Sequence, residues 1–520
     1  MKHRIGYALA ALLTVQAAWL SAAGTIVDAA KANNLEAVRS FLKQPKAANA
    51  ASKDGTTALH WATDVNNLAM AQALVRAGAN VKAANRYGVT PMYSAAVNGN
   101  AAMIELLLNA GADPNVALPE GETPLMTAAR TGKVDAVRLL LARGAAVNAA
   151  EKWKQQTALM WAAHEGNADT VKVLIEAGAN VNARSMFGWT PLLFAARQGQ
   201  MGTIDALMAG GARINDTLPD GTSALVTAVQ GLNYEAAAAL LKHGIDPNGA
   251  GQGWTALHQI AWSRRPQRGQ NNPGQRAHGN VSSLDLARTL VEHGADINAR
   301  ETREPNSDME GRNSLNRFGA TPFFLASKSV DVPLMEVLLE LGADPFIGNV
   351  DGDSPLMVAA GVGVYSQGES PGLPEESADA VKILLDLGAP VNDVDKNGET
   401  ALHGPAWRGS NDAVLHLVNA GAKLDVRNNR GWLPLTIADG VYYNARVMMN
   451  KHTAQLLREL MAARGLDTTD KGANIGGALR AELADETELD ADNPSEVQQR
   501  LIEQAKKRQE ILEQIQRNSK

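Results

Sequence analysis

Asp54-Gly55-Thr56-Thr57-Ala58-Leu59-His60-Trp61-Ala62, closed off by Gly78-Ala79-Asn80-Val81, carries the information from which the architecture follows. A turn Gly stands two residues before the lead Thr57 and a Gly-Ala pair 21 residues after it, and this compound pattern returns down the chain. The eleven lead positions are Thr57, Thr90, Thr123, Thr157, Thr190, Ser223, Thr255, Thr321, Ser354, Thr400 and Leu433, spaced by 32 to 34 residues except across two insertions. A fixed period in this range marks a stacked array, which makes an extended binding surface rather than one enclosed active site.

Within each copy, apolar residues fall two, five and six places after the lead Thr, as in Leu125, Ala128 and Ala129. At 100° per residue these share one helical face, which is the face to bury. A second stripe, Val137, Leu139, Leu140 and Leu141 ahead of Gly144, predicts a second helix ended by a left-handed glycine. Neither helix closes a core alone, so neighbouring copies must supply it. Residues 25–52 lack the tetrad but keep two short helical patterns, Ile26-Val27-Asp28-Ala29-Ala30 and Leu35-Glu36-Ala37-Val38, and serve as an N-terminal cap.

The tetrads and their turn glycines resemble the ankyrin repeat, over residues 25 to about 465. The resemblance implies an all-α repeat solenoid with short β-hairpin turns, each copy being a hairpin followed by two antiparallel helices. Counted with the cap, about twelve repeats occupy residues 24–465. It also implies that His60, His258 and His403, at the tetrad's own His place, tie the turn by hydrogen bonds rather than serving as metal ligands or bases.

Residues 1–23 have the layout of a secretory signal: Met1-Lys2-His3-Arg4 is basic, Ile5 to Ala18 is mostly apolar, and Ser21-Ala22-Ala23 is small. The expectation is export, with the periplasm as destination; the alternative is an uncleaved membrane anchor. The chain has no cysteine, which excludes disulfides and cysteine-held metals. The net charge of −6 argues against nucleic acid or anionic membrane as a general partner.

Insertions break the period near residues 264–281, 301–316 and 361–377, and the last copy is lengthened around Gly440-Val441-Tyr442-Tyr443. Loops tolerate added length where a stacking helix does not. The first insertion carries Arg264, Arg265, Arg268, Arg276 and His278 without an acid, so it is either a dock for an acidic patch or anion, or a solvated loop.

Positions four and seven after the lead residue point away from the core face and toward the expected groove. Position four holds Trp61, Trp161 and Phe194; position seven holds Trp262 and Trp407, with Arg130, His164 and Arg197 in neighbouring copies. A third column, just before the lead residue on the hairpin arm, holds Trp189, Trp254 and Trp432. Aromatic residues are only 4% of the chain, so their gathering in these columns marks candidate binding residues. The competing reading is that some of the rings only pack against the next copy's hairpin.

Asp393-Val394-Asp395-Lys396-Asn397-Gly398 imitates the start of a calcium loop, yet Gly404 stands where a bidentate Glu is needed. No nucleophile motif, no His-Glu-x-x-His and no clustered carboxylate pair stands outside the repeat pattern. The expectation is therefore a non-catalytic scaffold without cofactor or metal that binds another exported protein. A small-molecule or glycan-binding array, and an accessory or inhibitor of an envelope enzyme, are the rivals. Residues 466–494 form an acidic linker and 495–518 an amphipathic helix that docks on the array or stays free, with self-association as a further option.

Overall fold

The computed structural model of the protein describes residues 24–265, 279–303, 315–364, 371–443 and 446–470. The leader, Arg268, Arg276 and His278 of the first insertion, most of the acidic linker and the C-terminal amphipathic helix lie outside the described residues. The chain gathers into two compact units, Met1–Ile245 and Asp246–Lys520.

The first unit holds seven helix pairs: α1 (Ile26–Lys31) and α2 (Leu35–Phe41), α3 (Ala58–Asp64) and α4 (Leu68–Arg76), α5 (Pro91–Asn98) and α6 (Ala101–Asn109), α7 (Pro124–Thr131) and α8 (Val134–Ala142), α9 (Ala158–Glu165) and α10 (Ala168–Glu176), α11 (Pro191–Gln198) and α12 (Met201–Ala209), and α13 (Ala224–Gln230) and α14 (Tyr234–Lys242). The second holds five: α15 (Ala256–Arg264) and α16 (Ser283–Glu292), α17 (Pro322–Lys328) and α18 (Val332–Glu340), α19 (Pro355–Ala360) and α20 (Pro374–Asp386), α21 (His403–Arg408) and α22 (Asn411–Asn419), and α23 (Pro434–Asp439) and α24 (Lys451–Ala463). In each unit first helices pack on first helices and second on second, making two layers. The lengthened last copy inserts a β-hairpin, in which β1 (Val441–Tyr443) pairs antiparallel with β2 (Arg446–Met448).

The lead residue explains where each first helix starts. The hydroxyls of Thr90, Thr123, Thr157, Thr190, Ser223 and Thr321 accept from the backbone N–H three residues on, satisfying a donor the helix leaves orphaned. Proline follows at the first helical position of α5, α7, α11 and α17, where its missing N–H costs nothing. The expected glycine stop is present: Gly144, just past α8, has φ +83°. The predicted core positions Leu125, Ala128, Ala129, Val137 and Leu140 are buried. An asparagine ladder then joins copies: Asn115 donates to the Gly144 carbonyl and accepts from Ala146 N–H, and Asn148 repeats this with Gly178 and Asn180.

The three tetrad histidines do what the resemblance implied. Nδ1 of His60, His258 and His403 meets the backbone N–H of Thr57, Thr255 and Thr400, while Nε2 reaches the carbonyls of Val89, Ala320 and Trp432 in the following copy. Burial pushes His258 and His403 down to about 4. Such a ring stays neutral in the fold while the unfolded chain protonates near pH 6.5, so its contribution is intact above pH 6.5 and is lost as pH falls toward 4. His258→Asn should destabilise the second unit at pH 7.5, and the gap from wild type should shrink by about 3 kcal/mol between pH 6.5 and 4. Urea melts of both proteins across that range measure it; a gap independent of pH would mean the ring is not held neutral.

Candidate binding surface

In the first unit, the columns come together as rings covered by cations. Lys31 Nζ lies 5.2 Å from the centre of the Trp61 ring, and the Arg130 guanidinium 5.1 Å from that of Trp161. His164 meets Phe194 edge-on at 5.9 Å, Phe194 lies 5.2 Å from Trp189 on the hairpin arm, and Arg197 stands 5.2 Å over Trp189. The rings are half-buried, whereas Arg130, His164 and Arg197 are exposed. Most of these contacts bridge successive copies, so the rings both brace the stack and line the strip between hairpin arm and first helix. The indole N–H of Trp161 is buried without a hydrogen-bond partner.

The same columns behave differently in the second unit. Trp407, expected in the groove, is only 5% exposed and donates its indole N–H to Glu399 at 3.2 Å, with Trp432 set edge-on at 6.2 Å. Trp262 is half-buried under Arg317, 3.5 Å from the ring centre, and Arg317 is itself bonded to buried Glu301. Trp254 is half-buried and donates to Gln259 at 3.0 Å, and Arg430 lies 5.3 Å over Trp432. Trp407 is thus corrected from groove to interior: residues of the insertions cover it, since Leu315, Val362 and Val364 line the same cavity as its ring.

The insertion arginines are also corrected. Arg264 Nε and Nη2 grip Asp331 at 2.6 and 2.9 Å, and its Nη1 donates to Ser283. Arg265 donates to Glu376 at 2.8 Å. Asp331 is fully buried and caps α18 by accepting from Leu334 N–H. These cations are committed inside the unit rather than offered to an anionic partner, because a buried carboxylate needs them more than solvent does.

Two sets of residues escaped the columns. Tyr87, Trp153 and Phe187 are 57%, 76% and 60% exposed at hairpin tips, three or four residues before a lead Thr, a placement that the repeat register would have flagged. Asp353, Asp395 and Glu399 are buried side by side among the hairpins of the second unit; Asp353 and Asp395 form a carboxyl pair that only the stacking of successive copies creates. In the calcium look-alike, the Asp395 carboxylate accepts from the N–H groups of Asn397 and Glu399 and so closes the hairpin. Among the described residues, no group of three His, Asp or Glu is placed to hold a metal ion, and no helix is long and apolar enough to cross a membrane.

The chain matches the family described as ankyrin repeats (3 copies) over residues 26–117, 103–185 and 192–301, and that described as ankyrin repeats (many copies) over 378–438. Among curated proteins it is similar to neurogenic locus notch homolog protein 1, at 32% identity to the Homo sapiens protein over 158 residues, 30% of this chain and 5% of that one. The Mus musculus protein of that name is 38% identical over 106 residues, 19% of this chain and 4% of the relative. The chain therefore spans about a twentieth of the length of these relatives. Among solved structures, the human ASB11 ankyrin repeat domain aligns at 29% identity and a TM-score of 0.39, covering 43% of this chain and 98% of that one.

Asp331→Ala should cost the second unit about 3 kcal/mol, since it strips the helix cap and leaves Arg264 unpaired. Urea denaturation checks this. A loss below about 1 kcal/mol, the size of an exposed pair, would return Arg264 and Arg265 to the available surface.

Proposed function

Because this chain belongs to the ankyrin-repeat family, we propose that it is a non-catalytic scaffold that recognises another exported protein through the strip between hairpin arms and first helices. The observation that carries this reading is the row in the first unit where Trp61, Trp161, Phe194 and Trp189 lie half-buried beneath Lys31, Arg130, His164 and Arg197. Tryptophan and arginine at such positions are the residues that most often anchor interfaces. A ring already fixed by its neighbours loses little side-chain freedom on binding, and an exposed guanidinium over it is free to turn outward to a carboxylate or a carbonyl.

The order of basic, apolar and small residues in 1–23 supports looking for the partner among exported proteins. A scaffold role is also supported by the use made of the titratable groups: the histidines tie turns and Asp331 closes a buried ion pair.

The test is Trp61→Ala with Trp161→Ala in residues 24–520, used beside the native sequence as bait in an envelope extract. The pair should weaken retention of a specific protein by about 30-fold or more, the effect of removing hot-spot side chains, and leave the melting midpoint within a few degrees. A large fall in the midpoint would make the rings core rather than contact residues. Equal retention by both baits, or saturable quenching of native tryptophan fluorescence by a soluble glycan alone, would overturn the protein-binding reading.

A further inference from the structure

The insertions that interrupt the repeat period meet over the hairpins of the second unit. Leu315, at the end of one insertion, packs so closely on Gly363, at the start of another, that a side chain at Gly363 would press on it at 3.0 Å. Beneath this contact lies a cavity of about 150 Å³, walled by Asp351, Asp353, Lys396, Glu399 and Arg430 with Trp407 on one side.

Its charges are nearly all accounted for. Lys396 at the rim is ion-paired with Asp351 and acts only at longer range on Asp353 and Asp395. Glu399 accepts from the Trp407 indole and from Asn428, with Arg430 as the cation that acts on it. Asp353 is the remainder. It is 3% exposed, one carboxyl oxygen takes the Asn349 amide, and the other, Oδ1, meets no donor unless one carboxyl of the pair with Asp395 carries a proton. Its other close neighbour is the buried carboxyl of Asp395. The repeat does not require this: at the matching contact in two other copies, Asn85 donates to Thr56 and Asn428 to Glu399, so an amide donor meets an acceptor there.

We propose that this cavity receives the cationic end of a lysine or arginine side chain from a bound polypeptide, with Asp353 as its counter-charge. The assignment rests on the protein-binding reading for its source, but the pocket chemistry stands by itself. Six groups near the cavity carry or take up charge on the acidic side of the balance or against it: Asp351, Asp353, Asp395 and Glu399 on one hand, Lys396 and Arg430 on the other, so the wall is two positive charges short when all are ionised. A cavity of this size holds a guanidinium or ammonium with its last methylenes, and the Trp407 ring suits a cation by its quadrupole.

Without a guest, burial and the neighbouring carboxylates push Asp353 up to about 7, so a proton fills the gap. The entering cation replaces that proton, which leaves to solvent. Binding therefore strengthens as pH rises through 7. His403, which feels Asp395, is neutral throughout this range and adds no slope, while burial raises Glu399 above the usual carboxylate range.

The experiment is calorimetric titration of the full chain with Nα-acetyl-arginine amide, Nα-acetyl-lysine amide and the neutral isostere Nα-acetyl-citrulline amide at pH 6 and pH 8. At least one cationic amide should bind saturably at pH 8, about tenfold more weakly at pH 6, and the citrulline amide should not saturate. Asp353→Asn should abolish cation binding at both values while melting within a few degrees of wild type or above it. Absence of saturable binding by either cationic amide at pH 8, equal binding of citrulline, or wild-type affinity in Asp353→Asn would each overturn the proposal. Should Asp353→Asn fail to fold, the citrulline comparison and the pH series on wild type decide alone. Cation binding as described, together with no protein captured by the native bait, would uphold the pocket and sink the scaffold reading.

Discussion

Within each unit, every internal first helix is flanked by two others of its own kind, and its composition follows from that confinement. Ala95 and Ala96, Ala128 and Ala129, Ala162 and Ala163, and Ala195 and Ala196 are fully buried in successive copies of the first unit. Helices that approach on both flanks favour small side chains there, although the β-branched Thr63 and Val229 are buried at the matching place, and Leu59, Leu125 and Leu159 on the same helices are buried too. A helix of six to nine residues has little stability of its own, and an alanine buries little area, so a copy is held by its neighbours and weakens when they do.

Confinement of the first helix leaves two places where residues are free to vary, the hairpins and the helix face beside them. The asparagine ladder and the histidine ties take up backbone groups beside this strip, so its side chains brace the stack by ring contacts while varying in kind from copy to copy. The units use that freedom in opposite ways. In the first, Trp61 and Trp161 remain half open beneath cations; in the second, residues from the insertions close over Trp407 and turn part of the strip into a walled cavity.

What was legible in the sequence was what depends on local pattern. The helix starts at the lead Thr residues, the glycine stops, the buried Leu and Ala positions and the roles of His60, His258 and His403 are all set by residues within one copy and its successor. That Trp61, Trp161 and Phe194 sit on the helix face away from the core followed from helical angle, and the place of Trp189 from its step before the lead Thr on the hairpin arm. Trp407 did not, because its burial depends on residues near 315 and 362, brought to it by insertions whose path the repeat pattern does not encode. Arg264 and Arg265 failed for the same reason: Asp331 and Glu376 lie far away in sequence and meet them only once the copies are stacked.

The pairing of Asp353 with Asp395 runs against the economy of everything around it. Two buried carboxyls cannot both ionise without a cation between them, and keeping one protonated near neutrality forgoes the hydrogen bonds an amide would make in its place. Two other copies, with Asn85 against Thr56 and Asn428 against Glu399, show that the stack has a cheaper solution, amide against acceptor, at the matching position. A position where the favourable pairing was available and a strained one stands instead is explained more simply by the needs of an incoming group than by those of the fold. That the pair sits in the wall of the cavity, and under the insertions rather than in a regular stretch, ties its cost to the feature that sets the second unit apart from an ordinary array.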